Sequence, residues 1–398
     1  MNQNEIKGDD DSLSMDLDQH EKKQTQRQTP KLRFPGFKDP WEQRKFEELC
    51  DMVTVGIANS ATHAYSDSGI VMFRNQNIKP NFLDDTDIIH INPEFEVKYK
   101  NKRLKKNDLL VARTGYPGTA CVVPAKYENS QTFTTLIARP KKSVNPYFLS
   151  QYLNSDVGVK YFESTQIGGG QKNSGAGILN EMPITMPSAV EEEKIIADYF
   201  SILDHLIALH QRKLNILKQY KIGAETQLFN EITTTKKIKD IIEILPKTNH
   251  PACVGQAKGI YRFYTNNSTE QLYFDTFDYD AEAIISNTGG NANFEYHNGK
   301  FAAMADCMCF STKENPKYIY YILDYLTDKI FFYGFQGNGL KHLDKSWFAN
   351  LDVPVPDINK QNEITAILSE IDLLIEKETY ILNSLKLLKQ WLLQQMFI

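Results

Sequence analysis

The feature that most constrains this chain is an order of motifs that runs through it twice. Lys45-Phe46-Glu47-Glu48-Leu49 is echoed by Lys237-Ile238-Lys239-Asp240-Ile241, and Leu109-Leu110-Val111-Ala112-Arg113-Thr114-Gly115 by Ala283-Ile284-Ile285-Ser286-Asn287-Thr288-Gly289. Asn145-Pro146 recurs as Asn315-Pro316, and Gly170-Gln171-Lys172 as Gly339-Leu340-Lys341. Met182-Pro183-Ile184-Thr185-Met186-Pro187 recurs as Leu351-Asp352-Val353-Pro354-Val355-Pro356. Each match is weak alone; their shared order points to a duplicated fold.

The repeat is sharpest in two long helices. In the first, Ile196, Phe200, Leu203, Ile207, His210, Leu214, Leu217, Lys221, Ala224 and Leu228 alternate at spacings of four and three. In the second, Ile364, Leu368, Ile371, Ile375, Glu378, Leu382, Leu385, Lys389, Leu392 and Met396 do the same. A seam sustained over more than four heptads is the pattern of a coiled coil, and a surface helix packed on its own domain is shorter with a wider apolar stripe. Both seams break at matching places, at His210 and Glu378 and again at Lys221 and Lys389. Antiparallel pairing lets one chain fold back and close a pseudo-symmetric body. The expected fold class is therefore α+β, with two pseudo-repeated globular α/β units separated by two long helices that form an antiparallel coiled coil.

Composition excludes several classes. A hydrophobic fraction of 41% and a charged fraction of 24% suit an ordinary water-soluble protein. No apolar run approaches the roughly 18–20 residues of a membrane span. The polar, acidic N-terminus is unlike a secretory signal. Five scattered cysteines fit a reducing compartment better than a disulfide framework. Cytoplasmic location is the expectation. The net charge of −5 argues against a generally basic nucleic-acid binder. Phosphate contacts need only a local basic face, however, and seven of the residues in 98–113 are Lys or Arg.

Signs of chemistry are few. Asn145-Pro146-Tyr147-Phe148 approaches the Asn-Pro-Pro-Tyr loop of adenine methyltransferases but lacks its second proline. Both Asn-Pro pairs read better as helix N-caps followed by an N1 proline. Glu96-Val97-Lys98 matches a nuclease-like acid-x-Lys pattern, as Glu192-Glu193-Lys194 does too, so it discriminates little. No phosphate-binding glycine loop is present. Cys307 and Cys309 lack the further ligands of a zinc site and read as core.

The remaining polar clusters suit DNA reading, since Arg, Lys, Asn and Gln pair with base edges and phosphates. In the first half these are Arg74, Asn75, Gln76 and Asn77, the basic Lys102, Arg103, Lys105 and Lys106, then Arg113 and Lys172. In the second they are Asn266 with Asn267, Asn287 with Asn291 and Asn293, and Lys341 with His342.

Together these features resemble the specificity subunits of type I restriction–modification systems, from Leu32 to Ile398. The resemblance is carried by Asn107-Asp108-Leu109 through Arg113-Thr114-Gly115, by Gly170-Gln171 through Pro183, Pro187 and Glu191–Glu193, and by Leu203-Asp204-His205-Leu206-Ile207 with its twin Ile371-Asp372-Leu373-Leu374-Ile375. It implies a non-catalytic DNA-binding scaffold. Residues 1–30 would be a disordered tail, 31–190 and 231–357 target-recognition domains, and 191–230 and 358–398 helical struts. Each reader would bind one half of an asymmetric double-stranded target. The partners implied are two methyltransferase subunits and motor–endonuclease subunits. S-adenosylmethionine, ATP and Mg would reside in those partners, with no cofactor or metal in this chain. The competing reading is a coiled-coil assembly adaptor without DNA specificity.

A seam from residue 196 to 228 spans roughly 50 Å, about 15 base pairs of duplex. Inserting one turn with its compensating residues into the first strut should change the preferred spacer and leave both half-sites intact, as scored by methylation mapping.

Overall fold

Short apolar runs buried on both faces build the central strands, and the asparagine–proline pairs start helices that pack in the cores. The computed structural model describes residues 29–59, 61–165, 175–266 and 270–398. Among the described residues six helices run for eight residues or more: α1 (Pro146–Asn154), α2 (Asp156–Ser164), α3 (Val190–Asn230), α4 (Pro316–Tyr325), α5 (Thr327–Gly334) and α6 (Ile358–Met396). The chain divides into two units. The first runs to His210 and takes in Ile381–Ile398; the second is Gln211–Tyr380. Both long helices are thus shared, each unit holding one half of either.

In the first unit Cys50–Val55, Leu136–Pro140, Leu109–Val111 and Ala120–Val122 form a four-stranded antiparallel sheet in that spatial order. A second sheet orders Gln131–Thr132, Ile70–Phe73, Ile89–Ile91 and Tyr65–Ser66, its first pair parallel. Glu42–Lys45 pairs with Pro183–Met186 to tie the start of the unit's globular part to its end. Trp41, Phe46, Phe148, Phe162 and Phe200 fill the core, and Leu392, Met396 and Phe397 arrive from the chain's other end to complete it.

The second unit holds a six-stranded sheet, ordered Ile242–Ile244, Cys307–Thr312, Tyr279–Asn287, Phe294–Ala303, Tyr261–Tyr264 and Leu272–Phe274. Thr235–Lys237 pairs with Asp352–Pro354, the counterpart of the first unit's ribbon. Cys309 is buried among Tyr264, Tyr279 and Phe301, with Cys307 packed beside them, so both are core residues. Among the described residues no cluster of His, Cys, Asp or Glu could hold a metal.

Both Asn-Pro pairs are caps. Asn145 Oδ1 accepts from the backbone N–H of Tyr147 at 2.9 Å and of Phe148 at 3.2 Å, and Asn315 Oδ1 accepts from Tyr318 at 3.0 Å. Each cap is itself held from a long helix. The Asn145 N–H donates to Glu193 Oε2, and the Asn315 N–H to Gln361 Oε1, both at 2.9 Å.

The heptad seams form the inner faces of α3 and α6. Ile196, Phe200, Leu203 and Leu214 are buried, as are Ile364, Leu368, Ile371 and Leu382, while Ile207, Leu217, Ile375 and Leu385 are half-buried. Within each unit the segments run antiparallel. In the first, Asp204 meets Lys389, and one turn back Phe200 stacks near Phe397 with centroids 5.9 Å apart. In the second, Lys213 pairs with Glu378 at 2.9 Å and Lys221 with Asp372 at 2.8 Å, so the partner number falls as the other rises. The lysines that interrupt each seam therefore meet the aspartates of the Leu-Asp and Ile-Asp signatures. Gln151 adds a bond to Asp204 at 2.8 Å, and Tyr321 one to Asp372 at 2.7 Å.

The expected tail lies outside the described residues apart from Thr29 and Pro30. Pro30 is buried, and the Leu32 N–H donates to Gln395 O at 3.1 Å. The ordered chain begins at least that early.

Burial pushes the Glu193 carboxyl up to about 7, against the opposing pull of the Asn145 N–H and Arg44. Below the ordinary carboxylate range the group is protonated folded or unfolded and costs nothing. As pH rises the unfolded chain ionises first, so stability is lost between about pH 4.5 and 7, by at most about 3 kcal/mol. Glu193→Gln keeps the acceptor and removes the ionisation. Its Tm should match wild type near pH 4.5 and exceed it above pH 7.

Candidate nucleic-acid interface

In the first unit the hairpin of Leu109–Val111 and Ala120–Val122 projects the loop Ala112–Thr119 from one end of the sheet. Asn75, on the turn after Ile70–Phe73, holds this loop. Its Oδ1 accepts from the Arg113 N–H at 2.7 Å and the Thr114 N–H at 3.5 Å, and its Nδ2 donates to Thr134 Oγ1 at 3.2 Å. Between the two loops lies a concavity of about 750 Å³, bordered by Arg74, Gln76, Lys79, Thr114, Tyr116 and Phe133 among others. Asp87 orients two of these side chains, accepting from Arg74 Nη2 at 2.8 Å and from Gln76 Nε2 at 2.6 Å.

Other residues of the expected set serve the fold instead. Asn77 is 2% exposed; it accepts from the Arg74 N–H and donates to the carbonyls of Asp84 and Asp87. Lys102 donates to Gly56 O at 3.0 Å. Arg103 grips the buried Glu96 with two bonds of 2.7 and 2.6 Å, and Gln131 donates to the same carboxylate at 2.8 Å. The Arg103 bonds hold Glu96 below the usual carboxylate range despite its burial. Lys105 and Lys106 are exposed, but at the start of Leu109–Val111, where they border a separate cleft of about 390 Å³ with Arg139, Lys141 and Lys142. The buried strand separates them from the Arg113 loop. Lys172 lies outside the described residues.

The second unit gathers its expected residues more completely. Asn287 ends the strand Tyr279–Asn287, 4% exposed, and its Nδ2 donates to Asn266 O at 3.0 Å. The following loop meets the segment around Lys341: Gly290 N–H donates to Lys341 O and Leu343 N–H to Thr288 O, each at 2.9 Å. His342 packs on Gly289, where an added Cβ would come 3.2 Å from its ring. Lys341 Nζ sits 4.6 Å above the Phe331 ring, and Asn291 is exposed on the loop. Asn266, Asn287, Asn291, Lys341 and His342 thus share one end of the sheet. Asn287 and Asn266 shape that end, while Asn291 and His342 are the more exposed.

Exposed aromatic side chains, which hydrogen-bonding chemistry alone does not single out, accompany these residues. Tyr116 is 85% exposed on the first unit's loop, and Phe332 is 74% exposed in the second. The signal for Tyr116 was its setting between two glycines, Gly115-Tyr116-Pro117-Gly118. The long helices also carry apolar residues outside their seams. On α3, Ile195, Ile202, Leu209 and Ile216 are exposed at a strict spacing of seven. On α6, Leu373, Tyr380 and Leu387 repeat the pattern. Among the described residues no helix is long and apolar enough to cross a membrane.

Two related units, each with a loop cluster at one end of its sheet and a share of two long helices, have the plan of a two-reader specificity protein. The model of the type I restriction modification DNA specificity domain matches residues 38–219 and again 230–387. The chain belongs to that family and carries its domain twice, as a specificity subunit with two target-recognition domains. A putative type I restriction enzyme MjaX specificity subunit from Methanocaldococcus jannaschii is 22% identical over 384 residues, covering 85% of this chain and 88% of the relative. The type I S subunit from M. genitalium has a similar fold, with a TM-score of 0.69 at 16% identity over 93% of this chain and 99% of that one. A structure described as the basis of complex assembly and conformational transition of the type I system gives 0.53 at 14% identity, over 91% of this chain and 99% of that one. The family is in general non-catalytic.

The ion pair at Glu96 tests which charges are structural. Arg103→Ala leaves a buried carboxylate with Gln131 as its remaining side-chain donor and should lower the denaturant midpoint relative to wild type. Denaturant unfolding checks this, and the base preferences of the surviving folded protein should be unchanged.

Proposed function

We propose that each target-recognition domain reads one half of an asymmetric, two-part double-stranded DNA sequence, and that this chain contributes target choice and assembly rather than catalysis. The readers span residues 31–190 and 231–357, and the struts 191–230 and 358–398. The observation that carries the reading is that both units bring the same two loops together with different side chains. In the first, Asn75 holds the Arg113-Thr114 backbone; in the second, Asn287 bonds Asn266 beside Thr288-Gly289. A shared frame with divergent tips suits two unlike half-sites. Arg74, Gln76, Lys79 and Arg113 are the first reader's candidate contacts, and Asn291, Lys341 and His342 the second's. Lys105 and Lys106 face a separate cleft and contribute to the phosphate field at most.

The exposed heptad rows of α3 and α6 dock helices of two methyltransferase subunits. Unpartnered apolar rows at a seven-residue spacing are the surface that another amphipathic helix would cover. A motor–endonuclease subunit completes the complex. S-adenosylmethionine, ATP and Mg belong to those partners, and the assembly works in the cytoplasm.

The test uses the chain purified with its methyltransferase. Methylation mapping should reveal two short half-sites separated by a gap of fixed length and free sequence. Duplex affinity should fall steeply with salt, with a log–log slope of about −0.9 per phosphate contacted. Ile202→Glu with Leu209→Glu should release the methyltransferase and lower methylation at every site alike. A methyltransferase that chooses the same sites without this chain would overturn the proposal.

A further inference from the structure

The hairpin loop of the first reader is locked in place by three separate devices, and its tip carries an aromatic side chain. Asn75 clamps its entry by accepting from the Arg113 and Thr114 N–H groups. Gly115 sits at φ +77 and Gly118 at φ +92, conformations that side-chain-bearing residues rarely adopt. Gly118 also presses against Phe162, where an added Cβ would come within 2.2 Å of the ring. Inside the loop Tyr116 N–H donates to Thr114 O at 3.1 Å, and Tyr116 O accepts from the Thr119 N–H at 3.2 Å. The backbone is therefore fixed before anything binds.

What this rigid turn presents is Tyr116, 85% exposed at the lip of the concavity. An exposed ring on a mobile loop is unremarkable. On a preorganised turn beside a concave surface it is contact area with two χ angles to order, at low entropic cost. Across the concavity lie Arg74 and Gln76, both bonded to the one Asp87 carboxylate. Guanidinium and amide groups are the donors that suit purine edges, and an aromatic ring offers what they lack: an apolar surface for a base face or a thymine methyl. The second reader has glycine, Gly290, at the matching place after its Thr-Gly, with the exposed polar Asn291 following. The two tips therefore differ in chemistry where the frame is the same.

We propose that Tyr116 is a specificity-determining residue of the first reader, making apolar contact with a base of the first half-site while Asp87 positions Arg74 and Gln76 beside it. This rests on the reading that each unit recognises half of a DNA target. The ring does not carry the frame, since the loop's fixing contacts are to the backbone and to glycines.

The experiment compares wild type, Tyr116→Phe and Tyr116→Ala, each purified with the methyltransferase, on duplex libraries randomised across both half-sites. Tyr116→Ala should lower discrimination at one or two adjacent positions of the first half-site by about 5- to 100-fold, with the second half-site's preferences unchanged. Tyr116→Phe should retain most of the discrimination, because the ring supplies the contact. The unaltered second half-site serves as the folding control within the same molecule. Uniform weakening over all sequences, or unchanged preferences in Tyr116→Ala, would overturn the assignment while leaving the two-reader function standing. A wild-type complex without any two-part preference would overturn both.

Discussion

Two lysine–aspartate clasps, Lys389 with Asp204 and Lys221 with Asp372, set the register on which each unit depends. A lysine in an apolar seam is costly unless an anion waits opposite it. Sliding either helix by a turn would leave the mostly buried ammonium against leucine without its carboxylate, which disfavours the slipped register. The misaligned state loses a partner that the aligned one has, and this is how a half-buried charge favours one register among several apolar ones. Gln151 and Tyr321, from the capped helices α1 and α4, bond the same aspartates. Each reader is therefore anchored to the residue that fixes its helix pair.

The first unit is discontinuous in sequence, whereas the second is one stretch that includes parts of both long helices. The first core is closed by Leu392, Met396 and Phe397, and the second by Phe229 from the first long helix. A reader cut out at its apparent boundaries would expose the apolar face that these residues cover. Near residue 151 the frame also approaches the loops that border the concavity. Asn81, at φ +65, lies within 3.0 Å of Gln151, Ser150 and Asn154, and Asn154 bonds the backbone of Ala120 on the return strand of the Tyr116 hairpin. A short run of hydrogen bonds thus links the clasp to Asn81 and to Ala120, the first residue after the Ala112–Thr119 loop.

The seams, their matched lysines and both Asn-Pro caps were legible from the sequence because each depends on local spacing. The partners of individual charges were not. Arg103 looked like part of a basic run, yet Glu96, seven residues earlier, takes up its guanidinium. Asn77 looked like a reading amide but satisfies backbone groups in its own turn. Lys105 and Lys106 lie close to Arg113 in sequence and at the other end of a buried strand in space. Composition shows where charge is concentrated, while burial and chain reversal decide what it can reach. Tyr116 escaped notice for the opposite reason, since its meaning comes from flanking glycines and a clamp supplied by Asn75 some forty positions away.

The two units also solve one problem in two ways. The cap of α1 is held by Glu193 and the cap of α4 by Gln361, at matched places near the starts of α3 and α6. Only one acceptor lone pair is needed, and a neutral amide provides it without a desolvated charge. The second unit therefore has the acceptor without the ionisation, whereas the first retains a carboxyl that burial has pushed up to about 7. Gln361 makes further bonds, from its Nε2 to Glu314 and to Pro356 O, each at 2.8 Å, and a carboxylate could donate neither. The second unit's acceptor thus does not itself ionise, although the Glu314 carboxylate that Gln361 donates to is held, against its burial, below the usual range by its bonds from Gln361 and Lys236. The first unit's cap is coupled to proton binding across the range in which Glu193 ionises, because its acceptor is a carboxyl where the second unit has an amide.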